Sequence, residues 1–259
     1  YDEALSIIYY LRNVYYNTIN DLYNQVKNLF FADEELKTPV IQLGFWPGGD
    51  RDGNPFVTYE ITQKVAQTLR TSILKNYYNE LKDLQRRLTF KQVKEPLAKL
   101  RDKIYHDLFA DNGSISLEEI KTDLAGIRFN LMHDHNGIFI PILDDFIQKV
   151  NIFGLHFASL DIRQDARVHE KIVQNIVEYY TGISLEDLSE EERIKLMLNP
   201  SFTVKVNDFS DEIIVDTIKN IQQLKDIQRL NGEKGVHRYI ISNSENIFDV
   251  LNVMALFRF

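Results

Sequence analysis

From Thr58 onward, apolar residues recur at every fourth position: Ile61, Val65, Leu69, Ile73, Tyr77 and Leu81. That spacing predicts an amphipathic helix, capped by Thr58 and running to about Leu88. What such a helix can belong to is constrained by the stretch just ahead of it, Phe45-Trp-Pro-Gly-Gly-Asp-Arg-Asp-Gly-Asn-Pro-Phe-Val-Thr58. This stretch holds the only Trp, three of the eleven Gly and two of the six Pro. Val40, Ile41, Leu43 and Phe45 read as a short buried strand leading into it. A strand, a tight Gly-rich loop and a long helix is where α/β proteins commonly place a site.

The loop can be tested against known site patterns. Asp50, Asp52 and Asn54 occupy positions 1, 3 and 5 of a would-be calcium loop, but that loop needs Gly at 6 and Glu at 12, where Pro55 and Ile61 stand. Gly44, Gly48 and Gly49 make no dinucleotide fingerprint, and no Gly-Lys-Ser/Thr follows for a P-loop. Turn chemistry alone also accounts for the composition, with two Asp bracing Arg51 while Gly and Pro fix the backbone.

The rest of the chain is mostly helical in pattern. Leu5, Ile8, Leu11, Tyr15, Ile19, Leu22, Val26 and Leu29 predict one long helix over 3–31, and its clustered Tyr residues suit a packed helix interface. Asp33 to Pro39 is a polar link. A helix is expected from about Pro96, with Leu97, Leu100, Ile104 and Leu108 on one face, ended by Asp111-Asn112-Gly113. Ser116 to Glu119 reads as a capping box for a helix carrying Ile120, Leu124, Ile127 and Leu131. His133, Asp134 and His135 close it. Two His with a carboxylate suggest a metal, but residues two apart face different ways on a helix, so a solvated helix end is the competing reading.

Pro141 opens a helix through Val150. Leu155 to Ile162 reads as a buried strand ending in Arg163-Gln164-Asp165, followed by a helix with Val168, Ile172 and Ile176. An Arg at the carboxyl end of a strand suits chemistry, and equally an ion pair with Asp161 or Asp165. Ser189 to Glu192 is a second capping box. A loop follows over 202–209, then a helix over 211–230. Arg238 to Ser242 is a third short strand ahead of a last helix.

Composition limits the function classes. With 259 residues, 44% hydrophobic and 26% charged, the chain can bury a sizeable core. A net charge of −8 argues against a nucleic-acid partner. The lack of Cys removes disulfides and thiolate chemistry and fits a cytoplasmic setting. No apolar run reaches the ~18 residues of a membrane span. Tyr1 is not an initiator Met and the chain stops inside a helical pattern, so both ends are expected to continue.

Three motifs, in order along the chain, carry a family resemblance. Gly48-Gly-Asp-Arg-Asp-Gly-Asn-Pro55, Leu160-Asp-Ile-Arg-Gln164, and Tyr239-Ile-Ile-Ser242 with Asp249-Val-Leu251 resemble segments of the phosphoenolpyruvate carboxylase family. The resemblance implies a central fragment of a longer enzyme, predominantly α with a few short parallel strands, part of an α/β (TIM-like) barrel with long helical insertions. Its expected divisions are 1–38 (long helix and link), 39–165 (barrel strands with a helical insertion) and 166–259 (helices, third strand and last helix). Family members carboxylate phosphoenolpyruvate with bicarbonate to oxaloacetate and phosphate. They require Mg²⁺ or Mn²⁺ and are cytoplasmic, anaplerotic, CO₂-fixing enzymes; a homo-oligomeric full-length protein is expected, without nucleic-acid or membrane partners.

By the same resemblance, Arg163 matches the arginine that contacts substrate phosphate, and Trp46 the tryptophan beside the substrate's methylene carbon. Arg51 is expected to bind substrate, while Gly49, Asp50, Asp52 and Asn54 position the loop. His169 falls where the family has a His, with no role assigned, and Asp165 stands where the family usually has Glu. The family's remaining catalytic groups have no counterpart between Tyr1 and Phe259. With the terminal helix aligned without a gap, the family's metal-binding Glu falls on Phe259, which cannot ligate a cation, so either the register shifts by a few residues or another ligand serves. The isolated chain is therefore expected to be inactive. Alternatives are a metal-site-deficient homologue acting as a regulatory subunit, and a helical scaffold in which Trp46 and Arg163 point apart.

Overall fold

The computed structural model describes residues 1–31, 41–109 and 115–259. The expected link over 33–39, Val40 of the first strand, and the Asp111-Asn112-Gly113 helix stop lie outside them. Among the described residues the chain is mostly helical, with three short strands in one parallel sheet of order β1-β2-β3: Gly44–Phe45, Ser159–Asp165 and Arg238–Ser242. Two compact units are present, each discontinuous in sequence.

The first unit takes in Tyr1–Phe45, Val65–Ser159 and Ile227–Gly235. Its opening helix is not the uniform one expected. α1 (Asp2–Tyr10) and α2 (Tyr16–Phe30) are joined by a π turn over Leu11–Tyr15. The wider turn moves the buried face, so that Ala4, Ile8, Leu11, Tyr16, Ile19 and Tyr23 point inward while Leu5, Tyr15, Leu22 and Leu29 are exposed. Asn76 Nδ2 donates to Arg12 O within that turn (3.2 Å).

α3 (Tyr59–Arg87), α4 (Lys94–Leu108), α5 (Leu117–Asp134) and α6 (Ile140–Phe153) follow. In the first unit, Tyr77 of α3 is fully buried, donates its hydroxyl to Gly154 O (2.7 Å), and meets Phe146 edge to face. Arg70 is bonded to Asp107 (2.8 Å), whose other oxygen accepts Ile115 N–H (2.8 Å). This buried pair ties α3 to α4 with its charges matched, the condition under which burial of charge is tolerated. Ser116 accepts Glu119 N–H at the start of α5, the N-cap half of the capping box its sequence predicts. Ser159 N–H donates to Leu43 O (2.8 Å).

The second unit takes in Trp46–Lys64, Leu160–Asp226 and Val236–Phe259. β2 begins and ends later than its apolar run suggests: residues 155–158 form the approach, and the strand continues through Arg163 to Asp165. It pairs with β3 in parallel, Asp161 opposite Arg238 and Asp165 opposite Ser242. α7 (Ala166–Thr181), α8 (Glu190–Leu198), the front of α9 (Glu212–Asn231) and α10 (Ile247–Arg258) enclose one apolar core. Ile172, Val173, Ile176, Met197, Ile218, Leu251 and Ala255 are among its members. Both halves of the Ser189/Glu192 capping box are present.

Candidate functional site

The loop of Trp46 to Thr58 lies along β2. Gly49 and Asp50 N–H both donate to Trp46 O (2.8 and 3.0 Å), folding a tight turn in which Gly48 has a φ of 86°. Arg163 N–H then donates to Gly49 O (2.9 Å) and Arg51 N–H to Arg163 O (2.8 Å), so the loop forms a parallel bridge with the strand. Gly49 is required by this approach, because a Cβ there would sit 2.1 Å from Asp161 O. Thr62 Oγ1 donates to Gly48 O (2.7 Å), pinning the turn to the first turn of α3.

The Asp-Arg-Asp run, which enters a turn at Asp52, is divided between two sides. Asp50 and Asp52 turn to the Arg163 guanidinium, at 3.6 and 2.9 Å. That guanidinium lies 5.6 Å from the centroid of the Trp46 ring, within cation–π range. Trp46 Nε1 donates to Asp161 Oδ2 (3.2 Å), and Asp161 Oδ1 accepts from Arg238 Nε across the sheet (2.7 Å). The indole is 52% exposed, beside a partly exposed cation.

Arg51 goes the other way. It is only 8% exposed and its Nη2 is bonded to Asp216 of α9. Asp216 Oδ1 in turn accepts Tyr59 N–H (2.8 Å), capping α3 in place of the Thr58 side chain anticipated from the sequence. Asn54 accepts Phe56 N–H (3.1 Å) and closes an Asx turn at the exposed tip. A cleft of about 820 Å³ opens beside the strut, bordered by Arg51, Tyr59, Asp165, Asp216, Lys219 and Asn243. Trp46 and Arg163 are not part of its lining.

Asp165 caps α7 by accepting Arg167 N–H (2.8 Å) and also takes Asn243 Nδ2 (2.9 Å). The Arg167 side chain holds its carboxyl far below the usual carboxylate range. His169 is fully buried, with Nε2 2.9 Å from Tyr239 Oη. Burial, reinforced by the charge of Arg51, lowers its pKa to about 4 and so keeps the ring neutral. Burial also pushes the Tyr239 phenol up to about 12.

The structure thus brings Trp46, Asp50, Asp52 and Arg163 into one constellation, with Gly49 making the approach possible. It sends Arg51 into a buried strut and leaves Asn54 at the tip. Sequence reading missed Asp216, Asp161 and Arg238. Asp161 was noted only as a partner for Arg163, and Asp216 is one acidic residue among apolar helix positions, with no local signal.

Mg²⁺ or Mn²⁺ does not fit the residues described. None of them gather as three or more His, Asp or Glu around one point, and Asp50 and Asp52 are already turned to a guanidinium. Phe259 meets Phe202 at a tilt (ring centroids 5.2 Å apart) at the edge of the apolar core, and its carbonyl accepts Val204 N–H (3.1 Å). His135 is bonded to Lys91 O (2.9 Å) and His133 to Asp134 (3.1 Å), as at a solvated helix end.

Comparison with known proteins shows what the chain is similar to. The family model described as phosphoenolpyruvate carboxylase matches residues 1–114 and 106–259. A phosphoenolpyruvate carboxylase of Nitrosomonas eutropha is 23% identical over 309 residues, an alignment covering 99% of this chain and 33% of the relative. One from Rhodopseudomonas palustris is 26% identical over 274 residues, covering 88% of this chain and 29% of its own. The chain therefore spans about a third of the length of the curated relatives it matches.

Proposed function

Because the chain belongs to the phosphoenolpyruvate carboxylase family, we propose that it forms part of an enzyme that carboxylates phosphoenolpyruvate with bicarbonate, giving oxaloacetate and phosphate. The observation that carries this reading is the Arg163 guanidinium held 5.6 Å from the Trp46 ring, at the carboxyl end of a parallel strand.

In the proposed chemistry, a bicarbonate oxygen attacks phosphorus as the bond from phosphorus to the enol oxygen breaks. Carboxyphosphate and the enolate of pyruvate result; carboxyphosphate then yields CO₂ and phosphate, and the methylene carbon of the enolate attacks CO₂. Arg163 holds phosphate oxygens through N–H groups not taken by Asp52, and its fixed charge offsets the negative charge that shifts in the transition state. The two Asp orient it in advance, so that little reorganisation accompanies reaction. The exposed indole of Trp46 provides an apolar wall beside the enolate carbon and excludes water that would protonate it. Gly49, Asp50 and Asp52 position the pair, and Arg51 serves the loop through Asp216 in this reading rather than the substrate.

The same reading makes the three strands consecutive members of an α/β barrel within a cytoplasmic, homo-oligomeric, anaplerotic enzyme. Among the described residues no three His, Asp or Glu gather at one point, so in this reading a cation is held at least in part by groups other than these. A second reading, a metal-site-deficient homologue with a regulatory role, is favoured by one observation: Phe259, aligned with a cation-binding Glu, packs on Phe202.

The test is turnover in the full-length enzyme, with oxaloacetate coupled to malate dehydrogenase. Arg163→Ala should lower kcat on the order of 10²–10³-fold, the loss expected for one such electrostatic group. In the same assay the 259-residue chain alone should be silent. A near-native rate for the variant would remove Arg163 from the site, and no turnover by the wild-type enzyme would favour the regulatory reading.

A further inference from the structure

The first unit contains a basic cleft that the proposed reaction does not use. It has a volume of about 860 Å³ and lies among α2, α5 and α6, with Lys234 at its border. Its lining includes Lys27, Lys121, Arg128 and Lys234 against only two carboxylates, Asp144 and Asp145. In a chain of net charge −8 this is a local reversal of sign.

The two carboxylates are already engaged. Asp144 takes Arg128 in bidentate fashion (2.6 and 3.1 Å), and Asp145 accepts Asn24 Nδ2 (3.0 Å). Lys27 and Lys121 are half-buried, and among the described residues neither has a carboxylate partner. Cations gathered in a concave site with low-dielectric walls focus their field into it and favour an anion there. The floor suits a polar ligand, because buried Tyr23 and half-buried Gln148 lie beside the lysines.

We propose that this cleft binds a small polyanion of the phosphate type. Amines act as mobile point charges that serve phosphate oxygens well, and the volume exceeds what inorganic phosphate alone would fill. The site is built wholly from first-unit residues and is independent of the Arg163 assignment.

The experiment is calorimetric titration of the chain with pyrophosphate at low ionic strength. Binding should be measurable and should weaken as salt rises through the range where the Debye length falls from about 30 to about 10 Å. Lys27→Glu/Lys121→Glu should weaken it at least about tenfold, a loss of about 1.4 kcal/mol. The milder Lys27→Gln/Lys121→Gln should show the same direction if the charge-reversed protein misfolds. Lys171→Glu, on an exposed face of α7, should leave binding unchanged. Undetectable binding by wild type, or equal binding by the double variants, overturns the cleft. Binding lost in Arg163→Ala but kept in the lysine variants places the anion at Arg163 instead, which also overturns the cleft while leaving the carboxylase reading intact.

Discussion

Gly49→Ala tests the physical basis of the loop more directly than any change of a charged residue. The added Cβ would meet Asp161 O at 2.1 Å, Asp161 C at 3.0 Å and Leu160 Cδ1 at 3.2 Å. The first two atoms are backbone, so no rotamer change relieves the contact and the loop must move off β2 by roughly 1 Å to restore ordinary separation. Such a shift strains or breaks the bonds from Arg163 N–H to Gly49 O and from Arg51 N–H to Arg163 O. With ~1 kcal/mol for each bond and ~1–3 kcal/mol for overpacking, the expected cost is about 3–5 kcal/mol. Gly53→Ala is the control. Gly53 has a φ of 69° with nothing within 4 Å of an added Cβ, so only the left-handed backbone penalty of ~1–2 kcal/mol applies. Both changes restrict the unfolded chain equally, and that contribution cancels between them. Urea unfolding followed by Trp46 fluorescence, with circular dichroism as the second signal, gives the two values. Equal destabilisation by the two variants, or a smaller effect at Gly49, would refute the close-approach argument.

Two further outcomes follow from buried charge. Asp216→Asn leaves the Arg51 guanidinium buried with a weaker partner; because Asp216 is partly exposed, the expected loss is about 2 kcal/mol rather than the ~3–5 kcal/mol of a fully buried pair. The urea midpoint should fall and Trp46 emission should shift, and an unchanged midpoint would dissolve the strut. For His169, the folded pKa of about 4 lies below the unfolded value near 6.5, so the unfolded chain binds the extra proton as pH falls. Stability is therefore fully present above about pH 6.5 and is lost progressively down to about pH 4, by on the order of 2 kcal/mol at pH 5. His169→Gln should flatten that part of the stability profile, and an unaltered slope would show that His169 does not set it.

Periodicity carries far in this chain, and where it fails the cause is local. Helices α3 to α10 fall close to their expected places because apolar spacing and caps such as Ser189 with Glu192 agree. The first helix departs from expectation because the π turn over Leu11–Tyr15 shifts the face within a continuous helix, a change that residue spacing does not encode. The apolar run from Leu155 reads as strand from its start, whereas pairing with Arg238 to Ser242 decides which of those residues extend. In the loop, residue types pointed to Asp50, Arg51 and Asp52 together, but only the bridge to Arg163 shows that alternation separates them.

That alternation also explains why one loop can both hold the Arg163 guanidinium and anchor itself. The Asp side chains on one side fix Arg163 beside Trp46, and the Arg between them reaches Asp216 on the other. A one-residue slip of the loop along β2 would exchange these sides, presenting Arg51 to Arg163 as a like charge and leaving Asp216 facing a carboxylate. A slip that put Asp50 in the place of Gly49 would drive a Cβ to 2.1 Å from Asp161 O, so the register of the site depends on a residue without a side chain at that position. Asp52→Ala should accordingly loosen Arg163 without moving the loop, whereas Gly49→Ala should move the loop with every charged group still present.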